Sequence, residues 1–473
     1  MISKQDIFDR AGEWQLRPSI VEKDYVLGWL LAALGAHPVA GTRWVFKGGT
    51  CIKKCYLETY RFSEDLDFSL VQEAPYTEGE LREILQFVAR AAAEMSGIDF
   101  PQDQVRIRSR QDKEGRSTFE GSVYYRGPIG APGFARVLFD ITKHEPVLDA
   151  PERRPIFHPY PDSLPDGSGV MAYSLAELLA EKTRALYERA RPRDLYDVVY
   201  LLENRPDAFD LSRVRDLFAG KCAAKNLPAP STAQILEVVR NEAELRSEWE
   251  NMLAHQLPVL PALDDLLRRL PNLLTWIDVP TAVMPEMRLA QAPAPAGETI
   301  VAPPSIQYWG GGASLEAIRF AGANRLRVEF TYKGRLRRVE PYSLRRAQTG
   351  NLLFYGWEEG SSHIKAFNTA FMADVRPTNV SFQPRYRVEF AAHGPLSAPA
   401  SAPPIRSAYQ LPRPRRSAVS RQKLRYGPTY VFECSYCQKR FQHSKNDSTL
   451  RKHKAKDGYW DCPGRTGYLV SME

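Results

Sequence analysis

Between Ile20 and Leu34 the run IVEKDYVLGWLLAAL carries apolar residues at helical spacing, which predicts a helix buried on most of its faces. The stretch RWVFKGG (43–49) then reads as a short strand ending in a glycine turn and leading into a helix. In EDLDFSL (64–70) apolar and polar residues alternate, the pattern of a half-buried strand. A helix is predicted near 77–96 and strands near 105–110, 118–125 and 134–142. Helical spacing returns in SLAELLAEKTRALYERA (174–190), in RDLYDVVYLLE (193–203), near 211–222 and twice between 231 and 275. A mixed sheet followed by a helical half places this part in the α+β class.

Further along, RLRVEFTYKGRLRRVEP (325–341) sets a Lys-Gly pair between two β-like runs, which predicts a hairpin within a small β-barrel. Two stretches rich in Pro, Ala and Ser, QAPAPAGETIVAPPS (291–305) and GPLSAPASAPPIRSAYQLPRPRRSAVS (394–420), lack apolar periodicity and read as linkers. The expected organisation is therefore three folded parts, 1–280, 309–392 and 428–473, joined by linkers at 281–308 and 393–427. A chain of 473 residues, 43% hydrophobic and 25% charged, is long enough for several cores.

Charge changes the picture at one end only. From Ile405 onward 15 Lys and Arg face 5 Asp and Glu, a net +10 in a chain whose total is +8, so the remainder sits near −2. Such a tail suits a polyanion, most simply nucleic acid. No apolar run of membrane-spanning length occurs and MISKQDIFDRAGEW has no signal-peptide pattern, so no membrane partner and a cytoplasmic location are expected. Six cysteines in so long a chain do not make a disulfide framework.

The densest candidate chemistry lies in KGGTCIKKCYLETYRFSEDLDF (47–68). On a strand Asp65 and Asp67 project to one side while Leu66 and Phe68 point to the core. Neighbouring carboxylates repel unless a cation shares them, and magnesium (or manganese) commonly uses one or two carboxylates plus substrate phosphates. Lys47 precedes the turn, Gly48 and Gly49 let the backbone approach a phosphate, Thr50 is placed to cap the next helix, and Arg61 and Ser63 lead into the aspartates. Either element alone is more often an ordinary acidic strand or an ordinary glycine turn; together they describe a metal and triphosphate site. Asp140, at the end of an apolar run, reads equally as a general base or as a strand-terminal residue capping a turn. Cys51 and Cys55 read as small core residues beside the site.

FKGGTCIKK followed by YRFSEDLDFSL resembles the first two motifs of AbiEii/AbiGii-type nucleotidyltransferase toxins, a branch of the DNA polymerase β superfamily. AEKTRALYERARPRDLYDVVYL (180–201) resembles the third motif, a helical lysine at Lys182, and the fourth, with Arg191, Arg193, Asp194 and Asp197. The resemblance covers about the first 280 residues. It implies a polymerase-β-like fold with a helical C-terminal half and a nucleoside triphosphate as substrate. It further implies RNA, often a tRNA end, as acceptor, and a toxic or abortive-infection role in phage defence with a separately encoded antitoxin. Lys182 would neutralise phosphate, and Asp194 would orient that lysine, an attacking hydroxyl or the metal.

The segment from about 315 to 382 resembles a WYL domain, an SH3-like barrel. It departs from that family where Phe354, Tyr355 and Gly356 stand in place of the signature. Arg337, Arg338, Arg345 and Arg346 with Tyr332 and Tyr342 are weighed as a basic aromatic groove against a solvated strand face. Near the C-terminus, Cys434, Cys437, His453 and Cys462 have the spacing of a structural zinc site, with His443 as rival fourth ligand. Lys445, Arg451, Lys452, Lys454 and Lys456 around it are candidate phosphate contacts. The competing reading is a non-enzymatic regulator that binds nucleic acid through the barrel and finger.

Overall fold

The helix predicted around Ile20–Leu34 forms as Pro18–Ala36 (α2), after a first helix at Lys4–Trp14 (α1) that Ser3 caps through a reciprocal capping box with Asp6. Residues on all faces of α2 are buried, which is why it reads as apolar all round. A short turn of helix at Ala40–Arg43 (α3) leads into Trp44–Lys47 (β1), whose four residues are all buried. This computed structural model describes residues 1–300, 315–390 and 430–472, apart from 59, 72, 112–114, 205–208, 280, 435–436, 444–446 and 455–460. The expected linker at 393–427 lies outside the described residues.

After β1 come Gly48–Cys51 (α4), a π-turn at Ile52–Tyr56 and Leu66–Leu70 (β2). Glu78–Ser96 (α5) follows, with Thr77 and Glu80 as its capping box, and then Arg106–Gln111 (β3), Ser117–Tyr125 (β4) and Ala135–Thr142 (β5). Two short strands that the sequence pattern did not predict, Glu152–Pro155 (β6) and Gly169–Ala172 (β7), complete a seven-stranded mixed sheet of order β3-β4-β5-β2-β1-β7-β6. β2 runs antiparallel to β1 and parallel to β5.

The helical half begins with Leu175–Arg189 (α6) and Pro192–Asn204 (α7). It continues through Leu211–Ala223 (α8), Thr232–Asn241 (α9), Ala243–Ser247 (α10), Trp249–Leu253 (α11) and Leu263–Leu273 (α12). No helix is long and apolar enough to cross a membrane among the described residues.

The second sheet is built from Thr299–Ile300 (β8), Leu326–Tyr332 (β9), Arg335–Arg346 (β10), Leu352–Glu358 (β11), Lys365–Asn368 (β12) and Met372–Ser381 (β13). Its order is β12-β11-β10-β9-β13, with β8 on β10, and the described pairings do not join β12 to β13. The expected hairpin forms at Lys333 and Gly334, both at positive φ, with Tyr332 opposite Arg335. The described part of the expected linker at 281–308 is not a free tether. Ala292 is buried and accepts from Arg345 at 2.8 Å, Glu298 accepts from Tyr355 at 2.6 Å, and β8 pairs with β10.

This sheet and the first 280 residues share one compact unit, Met1–Ser401. The helix Leu315–Ala323 (α13) joins them: Arg319 is buried against Glu58 at 2.9 Å, and Tyr196 donates to Asn324 at 2.8 Å. The basic aromatic groove does not form. Tyr342 is fully buried, Arg337 pairs with Glu358 at 2.5 Å, Arg338 with Glu329 at 2.7 Å and Arg345 with Glu389 at 3.2 Å. Local alternation could not reveal those glutamates: Glu358 and Glu329 arrive from the neighbouring strands β11 and β9, and Glu389 from the segment after β13.

A second unit, Ala402–Glu473, contains Tyr430–Cys434 (β14), Arg440–His443 (β15), His453–Lys454 (β16), Asp461–Cys462 (β17) and Gly467–Met472 (β18). Among the described residues its core cluster is Phe432, Cys434, Leu450 and Cys462, with Tyr430, Cys437 and Phe441 packed against it.

Candidate active site

Lys47 ends β1 in extended backbone and Gly48 turns the chain at φ +76°. A Cβ at Gly48 would lie 2.0 Å from Asp67 Oδ2, so only glycine permits both this conformation and the approach of the acidic strand. Thr50, expected as a cap, sits inside α4 instead. Its hydroxyl donates to the Asp65 carbonyl at 2.5 Å, which fastens the corner to the start of β2, and no side chain caps α4. Arg61 and Ser63 lie against Gly49, where a Cβ would meet Arg61 Nη2 at 2.7 Å and Ser63 Oγ at 3.1 Å.

Strand register sets the acidic groups. Lys47 on β1 is opposite Asp67 on β2, Asp67 is beside Asp140 on β5, Asp140 is opposite Glu120 on β4, and Glu120 is opposite Arg108 on β3. Cross-strand partners share a sheet face, so cation, three acids and cation form one row across five strands. Asp140 is therefore a mid-strand neighbour of Asp67, and the turn-capping alternative does not hold. Asp65 stands one residue before β2. Among the described residues the carboxylates of Asp65, Asp67 and Asp140 make no hydrogen bond or ion pair.

Burial pushes the Asp67 carboxyl up to about 7, with Asp140 and Asp65 adding repulsion and Lys47 and Lys182 opposing it. Burial likewise raises Asp65, where Glu64 adds to the effect and Lys23 and Arg193 counter it. Asp140 reaches solvent, yet the packed sheet around it and the acids Glu145 and Glu120 raise its carboxyl against Lys47 and Arg110. Hard carboxylate oxygens without protein partners, raised by burial and by neighbouring acids, are a donor set that a divalent cation relieves. They are not drawn into one cage of the closeness found at the C-terminal cysteines.

The cations around the corner are held by a carboxylate the sequence reading left in second place. Asp197 on α7 accepts two bonds from Arg61, at 2.7 and 2.9 Å, and lies 2.7 Å from Lys182 Nζ on α6. Burial would raise Asp197, but Arg61 and Lys182 outweigh it and hold the carboxyl well below its ordinary range. Asp194, expected to orient Lys182, an attacking hydroxyl or the metal, takes two bonds from Arg189, at 2.7 and 3.0 Å, while Lys182 pairs with Asp197. The two aspartates are three positions apart along α7, and only Asp197 meets Lys182. Lys47 pairs with Glu145 and lies 3.7 Å from Glu181; burial opposes its charge, yet these acids hold its pKa well above the usual lysine range. Arg193 is half-buried, where burial and Arg61 lower its pKa against Asp197, Asp65 and Glu64. Arg191 is exposed and 3.8 Å from Glu244. Cys51 and Cys55 are fully buried.

Sequence reasoning missed Glu120, Glu145 and Glu181. The one signal available was strand alternation, which puts Glu120 on the polar face of TFEGSVYY, but which strand it faces is set by distant pairing.

In the second unit, donor atoms of Cys434, Cys437, His453 and Cys462 all lie within 4.8 Å of one another. The Cys434 and Cys462 sulfurs are 3.7 Å apart, close to the roughly 3.8 Å that a tetrahedral site with zinc–sulfur bonds of about 2.3 Å demands. His453 Nε2 is 3.3 Å from Cys437 Sγ, while Nδ1 sits 2.8 Å from the Arg451 carbonyl, a contact that orients the ring and leaves Nε2 to face the sulfurs. His443 ends β15, packs tilted against Phe432 with ring centroids 5.4 Å apart, and is not part of the set. Arg451, Lys452 and Lys454 are charged neighbours of the set, whereas Lys445 and Lys456 lie outside the described residues.

A family model described as the nucleotidyl transferase AbiEii toxin of a type IV TA system matches residues 29–269. Among solved structures the chain is similar to MenT4, a nucleotidyltransferase toxin from Mycobacterium tuberculosis H37Rv. Identity is 20%, over 59% of this chain and 99% of that one, with a TM-score of 0.32. No curated relative matches the sequence.

Proposed function

Because the chain belongs to the AbiEii nucleotidyltransferase toxin family, we propose that it transfers a nucleotide from a nucleoside triphosphate to an acceptor hydroxyl on RNA, such as a tRNA end. It would do so in the cytoplasm as a toxin or phage-defence effector restrained by a separately encoded antitoxin. The observation that supports this best is the convergence on one glycine corner of Asp65, Asp67 and Asp140, free of protein partners, with Lys182 and Arg61 fixed by Asp197.

Asp65 and Asp67 would hold magnesium or manganese, which supplies Lewis acidity and charge neutralisation when bound. The backbone at Gly48 and Gly49 and the Lys182 ammonium receive the triphosphate, with Lys47, Thr50, Ser63, Arg61 and Arg193 shaping the corner. Asp140 accepts the proton of the acceptor hydroxyl, whose oxygen bonds to the α-phosphorus as the bond to the bridging oxygen breaks and pyrophosphate leaves. Asp194 and Arg191 contribute by fixing the start of α7. Incubation with each labelled nucleoside triphosphate, magnesium and total RNA should label RNA, and Asp67→Asn should lower the rate by roughly three orders of magnitude. Absence of label with all four triphosphates would favour the regulator reading instead.

The second sheet is read as a WYL-like module fixed to the catalytic part through α13. The Cys3His set is read as a structural zinc site, since so small a core needs metal to fold. Metal analysis should find about one zinc per chain, lost in Cys434→Ser. Chelation should abolish the ordered signals of residues 430–472 while the melting transition of the first unit stays where it was. A metal-free protein with that region intact would remove the zinc reading.

A further inference from the structure

We propose that the exposed face of β3, β4 and β5 is the track on which the acceptor, a single-stranded nucleic acid, lies as its end reaches the carboxylates; this rests on the transfer reading above. The row that carries Asp67, Asp140 and Glu120 ends on the edge strand at Arg108, and the rows on either side carry Arg106 and Arg110 on the same face. Arg136 on β5 is opposite Tyr124 on β4, again on this face. The opposite face is apolar, with Ile107, Phe119, Val123, Val137, Phe139 and Ile141 in the core. Alternation therefore sends every one of these arginines outward, and Arg106, Arg108, Arg110 and Arg136 are exposed while Tyr124 is half-exposed.

Charge bookkeeping separates a track from an ordinary solvated edge. Arg110 is tied to Glu120 at 2.7 Å and Arg106 folds toward the Asp103 carbonyl at 2.7 Å. Arg108 and Arg136 have no carboxylate partner among the described residues. A polyanion nearing Asp65, Asp67 and Asp140 meets repulsion, so its flanking phosphates need cations beyond the acids. β3 lies three strand spacings, about 14 Å, from β2, which is the reach of a few nucleotides. The half-exposed Tyr124 ring beside Arg136 offers a base a surface to stack on, the combination that single strands use on open sheets.

The test is fluorescence anisotropy of a short labelled polyuridine RNA with the full chain, titrated at rising KCl, for wild type, Arg108→Gln/Arg136→Gln and the control Arg335→Gln on the second sheet. The double variant should bind roughly tenfold more weakly at physiological salt, with a salt slope shallower by about 1.4, or 0.7 for each cation withdrawn from a single strand. The control should match wild type. Equal affinity and slope in the double variant, or no RNA binding by wild type, overturns the track. If the loss appears but no triphosphate ever yields labelled RNA, the surface stands and the transfer reading fails.

Discussion

Replacing Asp197 by alanine is expected to abolish nucleotide transfer and to cost roughly 3–5 kcal/mol of stability. Asp197 is fully buried and is shared by Arg61 and Lys182, themselves buried, so its removal strands two cations in the interior. Arg61 also donates to Gln256 at 2.8 Å and backs Gly49, so its displacement would open the glycine corner. The conservative Asp197→Asn separates the two effects. It keeps the shape but not the charge, and should retain part of the stability while the transfer rate still falls, because Lys182 loses the anchor that aims it. The carboxyl is depressed in the folded state, so its contribution is complete above the unfolded value near pH 4 and fades as pH falls below it. Thermal melts of wild type and Asp197→Asn should therefore diverge most near neutrality and converge in acid. A variant that melts and transfers like wild type at pH 7 would show that the pairing is incidental.

The second large effect runs in the opposite direction. Metal-free Asp67→Asn should be more stable than wild type at pH 8, by roughly 2 kcal/mol, while losing activity. Asp67 has a folded value near 7 and an ordinary unfolded value near 4. Between these the folded state holds the extra proton, so wild-type stability declines as pH rises from about 4 to about 7 and stays low above that. Asparagine carries no such penalty. The same linkage makes magnesium compete with a proton, so its affinity should climb between about pH 6 and pH 8, with proton release on binding visible as buffer-dependent heat in calorimetry. Magnesium affinity flat across that interval, together with equal melting of the two proteins at pH 8, would contradict the assignment of Asp67 as the crowded carboxylate.

The local features were legible because they depend on neighbours in sequence. Gly48–Gly49 and the Asp65-x-Asp67 spacing follow from backbone reach and strand alternation. The Cys434, Cys437, His453 and Cys462 set was legible because a knuckle and two later ligands are recognised by type and separation, although the chain between them had to fold for the sulfurs to approach. Helix limits at 78–96 and strands at 106–111, 117–125 and 135–142 fell close to the expected positions since their apolar periods are long.

What only the tertiary structure decided is which charge meets which. A strand displays its polar face in sequence, but the identity of the residue beside it is set by register with a strand that can be seventy residues away. That is how Asp140 came to stand next to Asp67, with Glu120 and Arg108 in the same row. On α7 the sequence put Asp194 ahead of Asp197 as the orienting acid, and the packing of α7 on α6 gave Lys182 to Asp197 and Arg189 to Asp194. The arginines of the second sheet were likewise assigned by glutamates on neighbouring strands. Sequence determined the chemistry carried by each element; long-range packing determined the partner, because Coulomb and hydrogen-bond energies depend on separations of a few ångströms that no local pattern encodes.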